Sequence, residues 1–182
     1  MELDKDLQAR QEARNLAKQA EIAQKQLAQM TQQQLDAITE AIANAFSKAA
    51  VELAELAVRE TGFGNTEDKT VKNRFASMDV LKRIQNMKTV GVLKEDPREK
   101  LWQIGVPVGV IAGIVPSTNP TSTVCYKSLI ALKAGNAIVF SPHPKALSCT
   151  LRAAQIVAKA AQSAGAPQGA VSCLSIASIF SI

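Results

Sequence analysis

The sequence predicts an α/β fold: a helical amino-terminal segment followed by the first half of a doubly wound, Rossmann-like parallel sheet. Three observations carry this. No proline precedes Pro97 and no glycine precedes Gly62, so the first part of the chain is almost free of helix breakers. From Gly109 onward, apolar runs of strand length alternate with segments of helix length, the grammar of βαβ units with right-handed crossovers. Those strand runs number three, half of a usual doubly wound sheet, so the sheet reads as truncated.

The elements follow in order. Lys5 to Met30 reads as a first helix, with Leu7, Ala13, Leu16, Ala20, Ala23 and Leu27 near one face. Its Gln and Ala richness spans only about two or three heptads, too few for a sustained coiled coil. Thr31 with Gln34 is a capping box opening a second helix, through Leu35, Ile38, Ile42, Phe46, Leu53 and Leu56 to the stop at Thr61-Gly62. A third helix starts near Thr66-Glu67-Asp68, whose acids suit the macrodipole, and runs to about Asn86.

After Gly91 the pattern changes. Lys94 to Lys100 reads as a charged loop around Pro97, and Leu101 to Val106 as a strand anchored by Trp102. A strand at 109–115, a helix at 121–134, a strand at 136–141, a helix at 146–164 and a strand at 170–176 complete the chain. Gly135-Asn136 and Gly165-Ala166-Pro167 supply the helix stops. The Val and Ile content of Val110 to Val115 predicts a strand covered on both faces. Residues 1–100 are thus expected to form a helical segment packing on an α/β unit at 101–182.

With 47% apolar and 20% charged residues, this is the composition of a globular protein. No apolar run approaches the roughly 20 residues that span a bilayer, and the polar start Met1-Glu2-Leu3-Asp4-Lys5-Asp6 is no secretory signal. The expected setting is the cytoplasm, away from membranes, with Cys125, Cys149 and Cys173 reduced and without metal-ligand spacing. Residues 1–100 balance 16 Lys and Arg against 16 Asp and Glu, which leaves the whole net charge of +5 on residues 101–182. Lys127, Lys133, Lys145, Arg152 and Lys159 are too dispersed for a nucleic-acid surface and suit the approach of an anionic cofactor. Nothing after Glu99 can serve as a carboxylate base or carboxylate ligand.

Two polar turns stand out. Pro116-Ser117-Thr118-Asn119-Pro120 follows the first parallel strand, and Ser141-Pro142-His143-Pro144 follows the second. Prolines at such places stop the ladder and brace the backbone. Ser, Asn and Pro are also ordinary turn formers. Two such turns at one end of neighbouring strands nevertheless wall a single crevice, where open α/β sheets bind ligands. The Asn119 amide is there a neutral donor suited to a developing oxyanion. His143, the single histidine, is either a group that bonds or stacks on a nucleotide or a solvated turn residue. No Gly-x-Gly-x-x-Gly or P-loop is present, and Gly105, Gly109 and Gly113 lie in strand context. Cys125, one turn into the following helix, invites a nucleophile reading. Its apolar neighbours and the lack of a nearby base favour packing instead.

These residues carry a resemblance. Pro107-Val108-Gly109-Val110 through Val115-Pro116-Ser117-Thr118-Asn119-Pro120 resembles the aldehyde dehydrogenase superfamily motif of strand, Pro and oxyanion Asn. Ser128 to Asn136, Phe140 to Ala146, Glu60-Thr61-Gly62-Phe63-Gly64, Glu67-Asp68-Lys69 and Lys72-Asn73 are similar to its CoA-acylating branch. That branch holds acetylating acetaldehyde and succinate-semialdehyde dehydrogenases and the aldehyde half of bifunctional aldehyde–alcohol dehydrogenases. The resemblance implies oxidation of a short aldehyde to acyl-CoA, with NAD and coenzyme A, in a homo-oligomeric parent. It implies Asn119 as the catalytic oxyanion donor, and Val115, Pro116, Ser117, Thr118, Ser141, Pro142 and His143 as cofactor-binding residues. Ser141 and His143 stand where other aldehyde dehydrogenases bind the cofactor ribose with Lys and Glu, which accounts for Ser141 standing after the second strand where a usual dinucleotide fold places an acid. The family's nucleophilic Cys and its catalytic domain fall beyond residue 182, and Ile179-Phe180-Ser181-Ile182 reads as a foreign or premature ending. The chain alone is accordingly expected to be inactive. The rival reading is a non-catalytic binding or interaction fragment that uses the helix at 5–30 as its contact surface.

Overall fold

Apolar stripes of helical period can be buried only by packing helices on one another and on a sheet, and that packing organises the computed structural model, which describes residues 4–176. The expectation for Ile179–Ile182 lies outside them. Helix α1 (Lys5–Leu27) buries Ala9, Ala20, Ala23 and Leu27. Leu7 is exposed rather than part of the stripe, which begins at Ala9. Helix α2 (Gln32–Lys48) opens on the expected capping box, with the Thr31 hydroxyl accepting from Gln34 N and the Gln34 side-chain Oε1 accepting from Thr31 N. The single helix expected to reach Thr61 is two, broken at Ala49, and α3 spans Ala50–Thr61. No glycine or proline causes the break. Helix α2 packs on the two later helices that connect the parallel strands, whereas α3 packs chiefly on the helix that follows it, and one straight rod cannot serve both.

Helix α4 (Thr66–Arg74) is capped by the Asn65 side chain, whose Oδ1 accepts from Asp68 N. A π-turn over Phe75–Asp79 joins it to α5 (Val80–Ile84), so the expected third helix is continuous but not regular. Strands β1 (Gly91–Asp96) and β2 (Leu101–Gly105) form an antiparallel hairpin. Of the expected charged loop at 94–100, the first three residues are therefore strand and residues 97–100 form the hairpin turn. Trp102 is 62% exposed and anchors nothing in the core; its Nε1 donates to Glu95 across the pair.

Strands β3 (Val110–Val115), β4 (Ala137–Pro142) and β5 (Val171–Cys173) make the parallel sheet in that order. Helices α6 (Pro120–Lys133) and α7 (Leu147–Ser163) connect them. The mixed helix-and-sheet fold with three parallel strands is the predicted class. Strand β3 departs from the expected two-faced burial: Gly113 and Val115 are buried, but Ile114 on the opposite face is 55% exposed. Gly113 is needed there, because a Cβ would sit 2.7 Å from Phe140 Cδ1. One apolar cluster joins Leu35, Ile38 and Phe46 of α2, Leu129 and Leu132 of α6, Val157 of α7 and Phe140 of β4. Inside it the Lys133 ammonium, 2% exposed, is matched by Asp36 and the Gln85 carbonyl.

Candidate functional site

Parallel pairing puts the ends of β3 and β4 side by side. Val115 pairs with Pro142, and His143 N donates to Val115 O at 3.1 Å, so both polar turns leave the same edge of the sheet. Val115 and Pro142 are buried; Ser117, Asn119 and Ser141 are half-buried; Pro116, Thr118 and His143 are exposed. Pro120 opens α6 with the φ it needs, which leaves Asn119 at the cap position. Its side chain makes no capping bond. The amide is therefore not committed to the helix and stands at the edge.

Helix α4 holds this turn from below. Lys69 Nζ donates to Thr118 O at 2.7 Å, and Lys72 Nζ to Asn119 Oδ1 at 3.2 Å. Asn73 Oδ1 accepts from the Thr121 hydroxyl at 2.8 Å, while Asn73 Nδ2 donates to Ala50 O at 3.0 Å. Lys69, Asn73 and Thr121 are all buried. Burial, and then the neighbouring Lys72 charge, push the Lys69 ammonium below its usual range.

On the second turn, His143 Nδ1 accepts from Lys145 N at 3.1 Å, which leaves the Nε2 edge and the ring face outward. Beyond it, the amino terminus of α7 is already occupied: the Glu60 carboxylate accepts from Ser148 N and Cys149 N, each at 2.7 Å. Burial pushes the Glu60 carboxyl up, and those two N–H donors reverse the effect to leave it below the usual carboxylate value. Cys125 is fully buried against Ala76 O, and burial pushes its thiol far up. Burial, then Glu60, push Cys149 up to about 12; burial, then Glu12, do the same to Cys173. All three are held as thiols.

Sequence reading did not find two features. Lys69, Lys72 and Asn73 sit at i, i+3 and i+4 on one helix face, a spacing that is visible in the sequence but looks like ordinary solvated charge. The second is an apolar groove of about 500 Å³ lined by Val71, Phe75, Ala76 and Val80 on one side and Ser122 and Tyr126 on the other, with Lys72 shared with the turn. Its trace in the sequence is the pair Val71 and Phe75, which remain 64% and 53% exposed on a helix. Among the described residues no cluster of three or more His, Cys, Asp or Glu side chains is placed to hold a metal, and no helix is long and apolar enough to cross a membrane.

The edge carries hydroxyls, an imidazole and two ammonium groups, with no acid contributed by residues 100–182, and this donor set suits an anionic cofactor. The model of the aldehyde dehydrogenase family matches residues 5–178. The bifunctional aldehyde-alcohol dehydrogenase of Escherichia coli strain K12 is 49% identical over 153 residues, covering 84% of this chain and 17% of its own length. An acetylating aldehyde dehydrogenase from Geobacillus thermoglucosidasius superposes with a TM-score of 0.96 at 54% identity, over 98% of this chain and 39% of that one. A propionaldehyde dehydrogenase from Rhodopseudomonas palustris, solved with bound propionyl-CoA, gives a TM-score of 0.76 at 29% identity, over 93% of this chain and 37% of that one.

Proposed function

Because the chain belongs to the aldehyde dehydrogenase family, we propose that it contributes to the oxidation of a short-chain aldehyde to its acyl-CoA, using NAD and coenzyme A, in a protein that carries the rest of the family's fold. The reading is supported most by one observation: a half-buried asparagine, free of capping duty, at the carboxyl edge of the parallel sheet beside a second braced turn. In this role the Asn119 amide donates to the oxygen that gains charge when the aldehyde is attacked by a thiolate. Val115, Pro116, Ser117 and Thr118 form one wall of the cofactor cleft, and Ser141, Pro142 and His143 form the other. NAD supplies the hydride acceptor when bound. The Glu60 cap leaves α7's first turn unavailable to a phosphate, so the hydroxyl groups of the two turns are the anion-facing donors here. The apolar groove holds the hydrocarbon part of the aldehyde, since Lys72 and Ser122 make it continuous with the Asn119 turn.

None of the three thiols fits the nucleophile, so the remainder of the fold supplies it, and we place the parent in the cytoplasm as a homo-oligomer. The test is a chimera that joins this chain to the carboxyl-terminal part of the Geobacillus enzyme. Asn119→Ala there lowers kcat by about a hundredfold, with cofactor affinity little changed. Near-normal turnover would reduce Asn119 to a turn former.

A further inference from the structure

We propose that α4 is the positioning element of this site, and that Lys72 orients the Asn119 amide so that its Nδ2 donor faces the cleft. The inference rests on the oxyanion role given to Asn119 above.

An ammonium donates and never accepts, so the atom of Asn119 that meets Lys72 Nζ at 3.2 Å must be Oδ1. The carbonyl end is thereby tied to α4, and both Nδ2 hydrogens are left for another acceptor. Asn side chains otherwise rotate between two near-equivalent orientations. An oxyanion donor that spends part of its time presenting its carbonyl would repel the charge it is meant to stabilise.

The backbone is fixed on both sides by the same helix face. Lys69 holds the Thr118 carbonyl just before Asn119, and Asn73 holds the Thr121 hydroxyl just after it. Three side chains at i, i+3 and i+4 thus meet three successive anchor points on the turn, and Asn73 ties the whole back to α3 through Ala50 O.

The experiment uses the same chimera, in which Lys72 is suitable because it is exposed and its replacement leaves the core intact. Lys72→Met should lower kcat about tenfold, with measured affinity for NAD unchanged. Lys72→Arg, which still donates to Oδ1, should restore most of the rate. The double variant Lys72→Met with Asn119→Ala should be no slower than Asn119→Ala alone, because a positioning residue has nothing left to position. Full activity in Lys72→Met beside an impaired Asn119→Ala would overturn the positioning role and leave the oxyanion reading standing. Multiplied losses in the double variant would overturn it too, by showing that Lys72 acts on the ligand directly. A fully active Asn119→Ala would remove the oxyanion reading and this inference with it.

Discussion

Glu60 gives the sharpest test of how the second turn is held. Its carboxylate reaches from the end of α3 to two N–H groups in the first turn of α7, each at 2.7 Å. Removing a good amino-terminal cap costs about 0.5–2 kcal/mol, and loss of the charge at the macrodipole adds about 0.3–1 kcal/mol. Glu60→Ala should therefore cost about 2 kcal/mol, and Glu60→Gln, which keeps one acceptor, about 1 kcal/mol. At about 1.4 kcal/mol per tenfold, the alanine variant loses about thirtyfold of the amide protection of α7 wherever that protection reports the same opening. Hydrogen exchange read by mass spectrometry on a peptide covering 147–163 measures this. The pH dependence has a fixed sign. A carboxyl held below its unfolded value contributes its full stability only above about pH 4.5, and that contribution drains away as pH falls through the folded value. The gap between the native chain and Glu60→Gln should be constant near neutrality and shrink on acidification below about pH 4.5. A gap that is absent at pH 7, or that widens in acid, would refute the argument.

Other outcomes are expected. The 182-residue chain alone should give no NADH from acetaldehyde, NAD and CoA, and a Cys125→Ala variant should behave identically; activity that vanishes in that variant would make Cys125 the nucleophile. Gly113→Ala drives a Cβ to 2.7 Å from the buried Phe140 ring and should cost about 1–3 kcal/mol. That appears as a melting temperature lower by about 5 °C, and an unchanged value would show that Phe140 simply moves aside. The Asn119→Ala and Lys72→Met chimeras complete the set: about a hundredfold and about tenfold losses of kcat without loss of NAD affinity.

The parallel half of the fold was legible because burial writes itself into sequence there. Ala137-Ile138-Val139-Phe140 and the glycine stops placed β3, α6, β4 and α7 within a residue of where they lie, whereas the strand expected at 170–176 ends three residues early, at Cys173. Thr31 with Gln34 was legible because its reciprocal bonds are local. What failed was set by tertiary context. The hairpin strand at Gly91–Asp96 is solvated on both faces, so it shows no apolar alternation. The break at Ala49 has no breaker residue, since it follows from where α2 and α3 pack. The two turns were readable as a pair. Their support was not, because a buried lysine bonded to a backbone carbonyl at a sequence distance of 49 residues leaves no local trace.

The π-turn at Phe75–Asp79 sets the phase between two halves of one helix. An α-helix turns about 100° per residue, and a π-turn takes up one residue more than a regular turn. Upstream of it, Lys69, Lys72 and Asn73 face the Asn119 turn; downstream, Leu81 faces the core. Within it, Ala76 O accepts from the Cys125 thiol. Because the wider turn absorbs that extra residue, deleting one residue between 75 and 79 would restore a regular turn with both halves still in phase, whereas inserting another into the regular helix on either side would swing one half by about 100° against the other. Either Leu81 would leave the core or the lysines would leave the turn. The helix is thus keyed to two registers at once, and its length, more than any one side chain in the turn, is what the site requires of that segment.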